Sequence, residues 1–381
     1  MAFAISPRPA ADPPRLGGRR AQLIANLTPN WFASVMGTGI VAVAATSLPW
    51  HVQGLHTAAV GMWLLAAGLL VALLAATAAH WLRHPAVAKG HAANPVMAHF
   101  YGAPPMAMLT VGAGALLLGR DVVGLPLALD IDWVLWFAGT LTGLATTFVV
   151  PYLARTRHSV TAADAFGGWL MPVVPPMVSA ATGALLVPHT TPGATRLALL
   201  LACYAMFVLA LVASLVMITL VCRRVSAHGI GPAAMIPTLF IVLGPLGQSI
   251  TAVSLLGAVA HEALPARYAT GLRDFAVLYG IPVWGCALGW LVFAAAATAR
   301  TALRGLPFTL TWWSFTFPVG TVVTGTSALA LHTGAEPFRA AAAIGYGALI
   351  IAWAVVATRT MHGISSGTLF PAEVPASDKP T

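Results

Sequence analysis

Proline recurs in this chain where a membrane-length apolar run has least room for it. Pro105, Pro176, Pro245 and Pro318 follow one another at intervals of 71, 69 and 73 residues, each inside an uncharged stretch. A proline within a helix frees the carbonyl one turn back, and in hydrocarbon that group needs a protein partner or a water-filled cavity. Runs that carry such breaks therefore belong on the inside of a bundle. The alternate runs are smoother, and residues 196–222 hold neither Gly nor Pro.

Only 8% of the residues are charged and 59% are hydrophobic, against about 25% charged in an ordinary soluble domain. So few charges cannot cover a water-soluble surface, and the chain is a polytopic membrane protein. Ten apolar segments are expected, near 29–49, 57–80, 100–119, 130–152, 167–187, 196–222, 233–260, 274–299, 308–332 and 337–359. Residues 1–26 and 363–381 read as cytoplasmic tails, the first disordered, around a transmembrane domain of residues 27–362. The tails and the loops after even segments hold fourteen Arg and Lys, and the loops after odd segments hold five. By the positive-inside rule both termini face the cytoplasm of a cell whose inner (plasma) membrane the chain spans.

The proline period makes the ten segments five helical hairpins, each with a broken first helix and a straighter second. The expected fold is all-α, a quasi-fivefold ring with odd helices inside and even helices toward lipid, enclosing a pore. The breaks are placed at Gly37, Pro105, Pro175, Pro245 and Pro318. A bundle without a channel, its breaks satisfied by packing and by hydroxyls, is the alternative.

Residues 308–331 suggest what such a pore contains. At helical spacing Ser314, Phe317, Thr321 and Thr324 fall on one side, so an aromatic ring sits among hydroxyls and plugs the passage near mid-depth. Ser34, Thr38, Thr110, Ser179, Thr182 and Gln248 on the other odd segments complete an uncharged, hydroxyl-lined wall. No Asp or Glu is placed deep in a segment, which excludes a carboxylate relay and leaves a cation without a counter-charge. A small anion fits hydroxyl and amide donors and the positive ends of broken helices. No phosphate-binding loop of the GxxxxGK[ST] type is present, so ATP hydrolysis by that route is excluded.

His80 and His84, with His91 and His99 after them, invite a metal or haem and hence a membrane redox protein. Carboxylate and cysteine co-ligands are lacking nearby, so no metal or other cofactor is expected. A polar contact between His158 and Asp164 is a further cytoplasmic expectation. Cys203, Cys222 and Cys286 have no disulfide or zinc spacing.

TPNWFASVMGTGIVAVA at Thr28–Ala44, NPVMAHFYGAPPMAM at Asn94–Met108 and WWSFTFPVG at Trp312–Gly320 resemble the tellurite-resistance/dicarboxylate transporter family. That family takes in slow-type anion channels, malate permeases and sulfite exporters. The resemblance implies five hairpins around a pore, a homotrimer in the bilayer, and small anions as substrates, with neither catalysis nor nucleic-acid binding. It maps the family's gating phenylalanine onto Phe317, with Phe315 the competitor two residues away. A proton-coupled dicarboxylate or sulfite carrier is the alternative to a channel.

Overall fold

In the computed structural model, residues 24–50, 52–157 and 160–369 are described, and among them the chain is helical with no strand. Ten helices carry the architecture: α1 Phe32–Ser47, α2 Leu55–Arg83, α3 Ala103–Gly114, α4 Leu125–Thr156, α5 Pro175–Leu186, α6 Ala194–His228, α7 Leu243–Val259, α8 Ala266–Ala302, α9 Phe317–Thr333 and α10 Glu336–Ser366. Eight helical runs among the described residues are long and apolar enough to cross a membrane. At 16 and 12 residues, α1 and α5 are shorter.

Burial divides the helices as the smooth and broken sequence runs anticipate. In the runs containing α3, α7 and α9, 72%, 83% and 83% of the most apolar window is buried, against 17–33% for α2, α4, α6, α8 and α10. α1 and α5 are likewise buried along most of their length. Among the buried helices α1 packs on α3, α3 on α5, α5 on α7, α7 on α9, and α9 on α1.

The prolines do not kink these helices as expected; they start them. Pro175 and Pro318 lie in the first turn of α5 and α9, and Pro105 and Pro245 are the third residues of α3 and α7. A proline there removes an N–H that has no partner within the helix in any case. Tight i→i+3 turns lead into α3, α7 and α9 (Met97–Gly102, Ala233–Val242 and Leu310–Phe315) and keep the backbone bonded up to each switch. Gly37 also departs from expectation, because α1 runs unbroken through it. Its missing side chain makes room for Trp313 and Thr316, which a Cβ would meet at 2.7 and 2.3 Å.

A second departure is Asp132. The helix at the fourth segment begins at Leu125, earlier than the apolar run suggests, and this draws Asp132 two turns inside α4. There it is fully buried against Gly112 of α3, with neither carboxylate oxygen hydrogen-bonded among the described residues. The C-terminal boundary shifts too, since α10 continues past 362 to Ser366. Most of the two expected tails lies outside the described residues, as does His158; Asp164 instead accepts bonds from the Thr161 N–H and hydroxyl at 2.8 and 2.9 Å.

Indole N–H groups of the outer helices hold the inner ones. Trp63 of α2 donates to the Val111 carbonyl at 3.1 Å, Trp136 of α4 to the Ser179 carbonyl at 2.9 Å, and Trp353 of α10 to the Thr38 hydroxyl at 3.0 Å. From α8, Trp290 reaches the Leu239 carbonyl at 2.8 Å and Trp284 the Thr326 hydroxyl at 2.9 Å. Each bond places a wide ring against an inner helix and satisfies its polar edge where water is absent.

Among the ten helices, α7 and α9 bring their backbones into close contact. A Cβ on Gly247 would lie 2.4 Å from the backbone nitrogen of Val322. Backbone cannot swing aside as a side chain can, so Gly247→Ala is expected to lower stability by about 1–3 kcal/mol. Gly285, with nothing within 4 Å of the same position, is the control. Thermal unfolding of the purified protein in detergent should show a lower Tm for Gly247→Ala and little change for Gly285→Ala.

Candidate functional site

Among the five buried helices lies a chamber of about 260 Å³. Its wall takes Ile40, Thr46 and Ser47 from α1, Thr110 from α3, Thr182 from α5, Gln248 and Thr251 from α7, and Phe317 and Thr324 from α9, with apolar residues between. Phe317 is the first residue of α9 and, of the wall residues that α9 supplies, the one nearest that helix's N-terminus. It is 3% exposed.

Five of the sequence-predicted residues thus meet in one place: Phe317, Thr110, Thr182, Gln248 and Thr324. The other five do not. Ser34 donates to the Trp31 carbonyl at 2.7 Å, and Thr38 is taken by Trp353. Ser179 faces α4, accepting a 3.0 Å bond from Thr140. Thr321 turns toward α7, within 3.3 Å of the Leu243 and Gly244 carbonyls. Ser314 is in the i→i+3 turn before α9, where a helical periodicity counted back from Phe317 no longer applies. Thr46 and Ser47 were missed because they sit in the last turn of α1, at the edge of the apolar run. Thr251, one turn after Gln248, was legible from spacing alone.

Phe315 has a different environment. Its ring meets Phe240 edge-on at 4.9 Å and Trp312 at 5.7 Å, and it faces an apolar groove of about 700 Å³ between α8 and α10, away from the chamber.

The chamber wall contains no Asp, Glu, Lys, Arg or His. Its hydroxyl hydrogens have acceptors in the protein: Thr46 in the Val43 carbonyl, Ser47 in Ala44, Thr110 in Met106, and Thr182 in Val178, at 2.7–3.0 Å. Thr251 and Thr324 are 2.7 Å apart and also reach the Gly247 and Thr321 carbonyls. Hydroxyls therefore turn oxygen toward the cavity, while the Gln248 side chain has no protein hydrogen bond among the described residues.

The match to known proteins covers residues 26–361, which fit the model of the SLAC1 voltage-dependent anion channel family. The chain belongs to that family. A sulfite efflux pump of Trichophyton rubrum is 30% identical over 310 residues, covering 80% of this chain and 82% of the relative. A second such pump, from Arthroderma otae, is 29% identical with the same coverage. An uncharacterised transporter of Methanocaldococcus jannaschii is 26% identical over 357 residues, covering 92% of this chain and 97% of that protein.

The histidines form a contact of another kind. His80 at the end of α2 and His91 in the short helix Pro85–Ala93 stack with ring centroids 5.5 Å apart, and the His80 Nδ1 is 2.7 Å from the Ile24 carbonyl. His99 stacks on Trp169 instead, and no three metal-ligating side chains converge among the described residues. The three cysteines are free.

Burial, and then the charge of His80, hold the His91 ring below its ordinary value of 6.5. The folded protein therefore binds fewer protons than the unfolded chain as pH falls through the histidine range. The stabilisation from neutral His91 is present above that range and lost below it. His91→Gln should abolish part of the acid-side loss of Tm between about pH 7.5 and about pH 5.5, and an unchanged profile would show that His91 does not contribute.

Proposed function

We propose that this protein moves small anions across the membrane through the chamber, with Phe317 closing the path until its ring rotates aside. The observation that carries the reading is the Phe317 ring in the wall of an uncharged cavity lined by five buried helices. Supporting it, each of those helices packs on the next in chain order and α9 returns to α1, as a ring of five hairpins and ten spans requires. A wall without fixed cations suits conduction, since an anion meets no counter-charge that would trap it.

Sulfite is the substrate named for two of the similar proteins, and we extend it to this chain as a candidate. The same reading takes the protein as multi-pass in the plasma membrane with cytoplasmic termini and as a homotrimer; its measured mass in detergent decides the last point.

One observation favours a second mechanism. Asp132 is a buried carboxyl with no hydrogen-bonding partner on the far side of α3 from the chamber, and proton exchange there would suit a proton-coupled carrier. A pH gradient that drives anion uptake beyond the voltage equilibrium would establish coupling.

Phe317→Ala in proteoliposomes is expected to raise anion conductance on the order of tenfold or more, because a hydrophobic closure is removed from an otherwise open path. Phe315→Ala should leave conductance unchanged and lower Tm, since its ring only packs on Phe240 and Trp312. Equal conductance in Phe317→Ala and the unmodified chain would remove Phe317 from the gate.

A further inference from the structure

The donor and acceptor inventory of the chamber carries more than a preference for anions. Six hydroxyls line it, and each hydrogen has an acceptor within the protein. Thr46, Ser47, Thr110 and Thr182 donate to carbonyls of their own helices. Thr251 and Thr324 either donate to each other or to the Gly247 and Thr321 carbonyls. What faces the cavity is therefore oxygen lone pairs, together with the amide of Gln248, which is 5% exposed and has no protein partner among the described residues.

A bare oxyanion needs donors around its whole surface. Here it meets one amide and must turn threonine hydroxyls away from their carbonyls to find more. The desolvation cost of an ion grows with the square of its charge, and no cation in the wall offsets it. An oxyanion that keeps one proton differs on both counts. It carries half the charge of the dianion, and its own O–H finds an acceptor among the hydroxyl oxygens without any rearrangement.

Resting on the anion-transport reading above, we propose that the chamber selects oxyanions in their singly protonated form, accepting hydrogen sulfite and rejecting the sulfite dianion. Gln248 donates to an oxyanion oxygen, and the Thr251–Thr324 pair accepts the ligand's O–H. No titratable group from α1, α3, α5, α7 or α9 lines the chamber, and Asp132 is separated from it by α3. Any pH dependence arising from selection would thus follow the substrate's ionisation.

The test uses the full chain and its Phe317→Ala variant in liposomes, with sulfite, selenite and nitrate as probes across a pH series at equal pH on both sides. Sulfite flux at fixed total concentration is expected to fall about tenfold per pH unit above its second ionisation. Selenite, whose second ionisation lies higher, should show the same fall displaced to higher pH, and nitrate should show none. Gln248→Leu should lower nitrate and sulfite flux alike by about tenfold while leaving both pH midpoints in place. Sulfite flux that persists undiminished at high pH would overturn the proposal. So would declines for sulfite and selenite at one common pH, which would indicate a titrating protein group. Undiminished flux in Gln248→Leu would overturn the assigned donor. Vesicles impermeable to all three anions in both proteins would overturn the transport reading itself, and this inference with it.

Discussion

The structure depends on keeping backbone hydrogen bonds intact through helices that begin at proline in a medium without water. An interior proline would leave an unpaired carbonyl, at a cost of several kcal/mol in hydrocarbon. The segments of α3, α7 and α9 avoid that cost by winding as tight i→i+3 turns and changing to α-helix at or near the proline, where the missing N–H is not needed. The α-helical parts of the odd segments are consequently short, from 12 to 17 residues, and the chamber lies among them.

A cavity among short helices would collapse or fray without a frame around it. The outer helices supply that frame through tryptophan, whose indole bonds to Val111, Ser179, Leu239, Thr326 and Thr38 fix the rotation of the inner helices while their rings fill the space behind. Close glycine contacts do the same between inner neighbours: Gly320 lets α9 approach Ile40 of α1, which itself lines the chamber beside Phe317. The proposed gate is therefore a single ring in closely packed surroundings. An uncharged wall is consistent with that role, because a fixed arginine would hold an anion where a channel has to release it.

How far the sequence could be read differs from residue to residue, for identifiable reasons. Thr110, Thr182, Gln248, Thr324 and Phe317 were found because each lies on an uninterrupted α-helix, where spacing maps directly onto a face. Thr321 shares that helix but sits about 40° from Phe317 around the axis, enough to meet α7 instead of the cavity. Ser34, Thr38 and Ser179 were indistinguishable from them in sequence, since a hydroxyl that serves packing and one that lines a cavity look alike until the neighbouring helix is known. Ser314 failed because the winding changes between it and Phe317. Asp132 lies at the edge of its apolar run in sequence, yet two turns inside α4, because α4 starts before that run does.

The sequence alone determined that the chain crosses a membrane repeatedly, which of its segments are inner and which outer, and that Phe317 stands among neutral polar groups. Charge scarcity and proline period decide these, because hydrocarbon excludes charge and unpaired backbone wherever the helices come to rest. Only the tertiary structure decided which hydroxyls reach the chamber, that their hydrogens are already taken, and that Asp132 is buried behind α3. Those facts depend on helix rotation and winding to within tens of degrees, which packing against other helices sets and local sequence does not encode.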